Sequence, residues 1–181
     1  MNKWVFALRF LVVGTLSLLL LGLILRPYTY VLSYTVKAGL NWLVGFGISH
    51  NVVDGHWFGV NLTFVCNGRE KTMPPGFVVT VIGNLAPFLA LVGATPGIGW
   101  RRACRAAGIG IAIFFLWHVI QLSALLIAGV ATSLTGPTGL ARLLATISVV
   151  LPFAVWLLLT RPPFIFQYFS GTQGEENARQ K

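Results

Sequence analysis

The chain has 181 residues, 56% of them hydrophobic and 9% charged, with a mean hydropathy of +0.79; a soluble domain carries about 25% charged residues and could not hide this much apolar surface. Thirteen Lys and Arg stand against four Asp and Glu, a net charge of +9, yet the bases punctuate apolar runs and form no dense stripe of the kind that binds nucleic acid. Composition therefore argues against a soluble globule and a nucleic-acid partner, and leaves too few carboxylates for a catalytic pair beside a metal site.

Lys3 and Arg9 introduce an apolar run from Phe10 to Leu25, with Val5 to Leu8 ahead of it. The run is longer than a signal-peptide core and no Ala-x-Ala cleavage site follows, so an uncleaved first crossing is expected over Val5–Leu25. In Thr29–Ile48 the residues Leu32, Val36, Leu40 and Leu43 recur at helical spacing. Lys37 falls near the middle with Asn41, and a charge in the hydrocarbon costs about 2.5–3.5 kcal/mol. A separate interfacial helix is expected there, with Tyr28, Tyr30, Tyr34 and Trp42 in the headgroup layer. The alternative, a fifth crossing, would place Lys3 and Arg9 outside, against the charge bias.

Asn51–Val53, an Asp54-Gly55 turn and Trp57–Val65 read as a short exterior β-hairpin. Three further crossings are expected over Pro75–Val92, Ala107–Ala128 and Leu143–Thr160, with Asn84 and Pro87 marking a polar contact and a kink. The intervening Ala94–Ala106 holds Arg101, Arg102 and Arg105 without an acid, which makes it cytoplasmic. Both termini are then cytoplasmic. Eight basic residues lie inside (Lys3, Arg9, Arg101, Arg102, Arg105, Arg161, Arg179, Lys181) and five outside (Arg26, Lys37, Arg69, Lys71, Arg142). The expected fold is an all-α polytopic membrane protein with about four crossings, one interfacial helix and the hairpin. Residues 1–169 form a single helical membrane domain of a plasma (inner) membrane, and residues 170–181 a polar cytoplasmic tail.

Two side chains carry the candidate chemistry. Cys66 stands at the exterior mouth of the second crossing, where Arg69, Lys71 and a following helix N-terminus would favour the nucleophilic thiolate. Equally, it ends a strand as a small apolar residue before an Asn67-Gly68 turn. His118 lies inside the third crossing, where an ionisable group is costly and hence a candidate base or ligand. Its other reading is a helix–helix hydrogen bond to Asn84, Gln121 or Ser123. His50 and His56 read as polar surface. Cys66 and Cys104 make no disulfide framework, and no Cys/His spacing suits zinc, so neither metal nor cofactor is expected.

The order Val60-Asn61-Leu62-Thr63-Phe64-Val65, then Cys66-Asn67-Gly68, then a basic cytoplasmic Trp100-Arg101-Arg102 and the crossing Gly108–Ala128 resembles the exosortase/archaeosortase family of membrane transpeptidases. The resemblance covers roughly Tyr30–Ala128. It implies Cys66 as nucleophile towards a membrane-anchored protein substrate, with a cationic stabiliser and a histidine base. Where the family has Asn-x-x-Arg-Ile this chain has His118-Val119-Ile120-Gln121-Leu122, which puts Gln121 at the arginine position, and no histidine follows Gly129. Two functions are thus carried forward. One is an exosortase-like cysteine transpeptidase, divergent or inactive, resting on Cys66, His118, Gln121 and Arg69. The other is a non-catalytic accessory subunit whose small residues Gly108, Gly110 and Ala112 permit close helix packing. Membrane lipid and either a membrane-anchored substrate or partner subunits are the expected partners.

Overall fold

The computed structural model describes residues 3–73, 75–131 and 139–160. It is mainly helical, with one three-stranded antiparallel sheet. Helix α1 spans Lys3–Val44, β1 Ile48–Asp54, β2 Asn61–Cys66 and β3 Arg69–Met73. Helices α2 (Pro75–Ile82), α3 (Leu85–Ala94), α4 (Trp100–Ala131) and α5 (Gly139–Thr160) follow. Three of these, α1, α4 and α5, are long and apolar enough to cross a membrane. Their outward faces are apolar, as at Leu11, Leu16, Leu116, Val149 and Leu158, which suits helices whose solvent is lipid.

The expected interfacial helix is not a separate element. The helix runs unbroken through Pro27 for 42 residues, about 63 Å at 1.5 Å per residue and so about twice the hydrocarbon thickness. Proline removes one backbone bond, which membrane helices accommodate. The stripe Leu32, Val36 and Leu40 is fully buried, in one apolar cluster with Ile48, Leu62, Phe64 and Met73 of the sheet. Lys37 and Asn41, which argued for a break, are satisfied by backbone from β1. Lys37 Nζ donates to the Ser49 carbonyl (2.6 Å), and the Asn41 amide bonds both the Ile48 N–H and carbonyl (2.8 Å each). Of the expected headgroup aromatics, Tyr30, Tyr34 and Trp42 are exposed while Tyr28 turns inward.

The hairpin is present, with β2 starting at Asn61 instead of Trp57, and a third strand joins it. Asn67 (φ 49°) and Gly68 (φ 77°) are both left-handed, the two-residue turn that Asn-Gly favours. Chain direction returns at once as β3, so no helix begins at Cys66. The sheet lies along α1 with its far end at Asn41 and its near end by Arg26. Between them the Asn51 Nδ2 donates to Ser33 Oγ (2.8 Å). At the near end Arg26 Nη1 donates to His56 Nδ1 (3.3 Å), and the Trp57 and Phe58 rings lie against Gly22.

The expected second crossing is divided into α2 and α3. Pro87 has no N–H for the Gly83 carbonyl, which the Ala86 N–H takes instead at 3.2 Å. The tightened turn brings the Val79 carbonyl so close that a Cβ at residue 83 would meet it at 2.6 Å. Helix α4 begins at Trp100, so Arg101, Arg102 and Arg105 lie in its first turns and not in a loop. Cations at a helix N-terminus oppose the macrodipole; their gain must come from outside the helix, as with anionic headgroups. The polar tail and most of the expected Val130–Ala141 loop lie outside the described residues.

Candidate functional site

The polar groups of the helices converge in one place. Tyr28 of α1 donates its hydroxyl proton to His118 Nδ1 (2.7 Å), and His118 Nε2–H of α4 donates to Asn84 Oδ1 (2.9 Å) in the α2–α3 break. His118 is wholly buried, with Phe114 and Tyr28 rings around it. This is the helix–helix bond expected of His118 in its second reading, with Asn84 as partner. Three elements up to ninety residues apart are joined by two bonds, each worth about 0.6 kcal/mol on average between membrane helices.

A second chain lies beside it. Trp117 Nε1–H donates to Ser148 Oγ (2.9 Å), whose hydroxyl donates to Gln121 Oε1 (3.2 Å), linking α4 to α5. Gln121 is thus a structural acceptor in this fold. Between the two chains is a cavity of about 380 Å³ lined by Asn84, Pro87, Gln121, Ser148, Pro152 and Phe153 among others. Pro87 of α3 and Pro152 inside α5 both line it. Asn84 is 8% exposed and lines this cavity, and its Nδ2 has no hydrogen-bond partner among the described residues. Leaving a buried donor unmet costs about 1–3 kcal/mol.

Cys66 is elsewhere. It pairs with Ile48 across the sheet, and Ile48 is bonded to Asn41. His118 is bonded to Tyr28, thirteen residues away, or about 20 Å along α1. The two residues expected to share a site therefore sit at different levels of the molecule. Cys66 is 3% exposed, and burial pushes its thiol pKa up, opposite to the lowering expected from Arg69 and Lys71. Arg69 is exposed and directly opposite Cys66 in the β2–β3 register. His50 is exposed on β1, and His56 accepts from Arg26. Among the described residues no three His, Cys, Asp or Glu side chains gather as metal ligands would.

Tyr28, Ser148 and Trp117 were not singled out by sequence for this cluster. Ser148 is a polar residue amid an apolar run and is findable on that ground. Tyr28 at a helix–lipid boundary has no local mark distinguishing inward from outward. A further polar tie, Trp156 Nε1–H to Thr95 Oγ1 (2.8 Å) with Arg102 Nη2 to the Thr160 carbonyl (3.3 Å), secures α3, α4 and α5 at the opposite end of the bundle. No protein-family model matches the chain, and no curated protein or solved structure is significantly similar to it.

Proposed function

We propose that this chain is a non-catalytic accessory subunit of a larger membrane protein complex. The observation that carries this reading is the separation of Cys66 from His118. A cysteine nucleophile needs its base within hydrogen-bond reach, and here the thiol is buried, its ionisation is disfavoured, and the one intramembrane histidine is committed to Tyr28 and Asn84. The membrane is the plasma (inner) membrane. Four crossings put both termini in the cytoplasm and the sheet outside, with α2 and α3 end to end over 75–94 spanning about 30 Å. The arginines at the start of α4 support that orientation.

The exosortase-like transpeptidase is the second reading, favoured by Cys66-Asn67-Gly68 at an exterior turn. Purification from native membranes separates the two. A stoichiometric partner retained by the Cys66→Ala chain is expected. Loss of processing of a membrane-anchored protein on Cys66→Ala, with the chain still inserted and folded, would establish the transpeptidase instead. Side-specific thiol labelling checks orientation independently: with the sheet opened by urea, the buried Cys66 is expected to react from outside, and Cys104 only after permeabilisation.

A further inference from the structure

We propose that the turn between β1 and β2 is a membrane-inserting loop, with the Trp57 and Phe58 rings seated among the acyl chains of the leaflet on the sheet's side. The Gly59 N–H donates to the His56 carbonyl (2.9 Å), which makes His56–Gly59 a tight turn with Trp57 and Phe58 at its two central positions. Turns that face water fill such positions with Gly, Pro, Asn, Asp or Ser. Here both are large aromatics, 56% and 40% exposed. Trp57 also holds a left-handed backbone (φ 51°), a conformation that suits Gly or Asn and disfavours a bulky side chain. The turn thus keeps an indole where backbone preference argues against one, and a water-facing position supplies no compensation.

Depth identifies lipid as the occupant. Both rings lie against Gly22, where a Cβ would meet Phe58 at 3.1 Å and Trp57 at 3.2 Å. Gly22 falls inside the apolar run that ends at Leu25, in a helix long and apolar enough to cross a membrane, and about 6 Å short of Arg26. Tyr28, six residues on, reaches His118 midway along the expected Ala107–Ala128 crossing, so by that measure too Gly22 lies within the apolar layer. Its neighbours on α1, Leu18, Leu19 and Leu23, are exposed, and the two rings continue a surface that already faces lipid. The polar contact of the turn lies farther out, where His56 accepts from Arg26 (3.3 Å). An apolar aromatic tip with a polar flank behind it has the order of an interfacial anchor. Either orientation of the chain gives the same result, because the sheet itself defines the leaflet.

The test reads the emission of Trp57 in the full chain, purified and reconstituted in phosphatidylcholine nanodiscs so that both membrane faces meet solvent. Subtracting the spectrum of the Trp57→Phe chain, which keeps the tip aromatic, isolates this indole from the six tryptophans of the chain. Phosphatidylcholine brominated along its acyl chains is expected to quench the difference signal, and aqueous iodide to leave it unchanged. Phe58→Trp adds an indole at the neighbouring position and should gain a signal with the same behaviour, so the result does not depend on one replacement. Quenching by iodide in the folded chain puts the tip in water and overturns the proposal. Shielding from both quenchers means that the rings pack on protein, and overturns it as well.

Discussion

The two halves of α1 form one continuous helix, yet they are held by opposite kinds of contact. Up to Leu25 the helix exposes Leu8, Leu11 and Leu16 and buries few residues, among them Ser17, Leu21 and Leu25. Beyond Arg26 it buries Leu32, Val36 and Leu40 beneath the sheet. In lipid an apolar side chain gains little by leaving its surroundings, so helix association rests on close fit and hydrogen bonds. The Tyr28–His118–Asn84 chain and the Phe88 ring seated on Gly110 are contacts of that type. The sheet half instead packs a contiguous apolar cluster between strands and helix, the pattern of ordinary hydrophobic burial.

The comparison predicts unequal mutational costs. Phe64→Ala, at a wholly buried site in the sheet half, should cost about 3–5 kcal/mol. Residues 48–73 should then become protease-sensitive while far-UV circular dichroism retains the helices. Equal resistance of mutant and parent would break the distinction. His118→Leu removes both bonds of the polar chain and should cost less, about 1–2 kcal/mol, read as a shift in detergent-induced unfolding of the helices with the sheet still protease-resistant. A cost above that of Phe64→Ala would reverse the order.

The smallest effect concerns Cys66. Its pKa is raised by burial, so the folded state holds the thiol proton more tightly than the unfolded state. The associated stability is full below the ordinary thiol range, about 8.5, and is lost as pH rises through the folded value. Maleimide labelling of Cys66 should therefore be slow at neutral pH, rise beyond the ordinary thiol range, and accelerate when urea opens the sheet. Fast neutral-pH labelling of the folded chain would sink this account and revive an activated thiol.

Much of the membrane-embedded half was legible in the sequence because lipid demands uninterrupted apolar runs, and those over Val5–Leu25, Ala107–Ala128 and Leu143–Thr160 fall within α1, α4 and α5. The continuity of α1 was not legible, because the groups that satisfy Lys37 and Asn41 come from β1, which a helical window cannot see. At Asn67-Gly68 the local turn signal was correct, and the expectation of a helix start ran against it; β3, with its charged Arg69, Glu70 and Lys71, lacks strand-like alternation. Asn84 and Pro87 were readable as a contact and a kink. The identity of that contact depended on a helix thirty-four residues later, and the inward turn of Tyr28 on one ninety residues away.

An unbroken α1 also has a mechanical consequence. From Arg26 to Val44 it extends about 27 Å past the apolar boundary, and the sheet is fastened along that length, with Trp57 and Phe58 braced at its base against Gly22. Membranes of different thickness alter the tilt of a spanning helix. A change of ten degrees would swing the far end of this lever, where the Cys66 turn sits, sideways by about 4–5 Å. Bilayer thickness is thereby converted into the lateral position of the sheet, with no hinge between them.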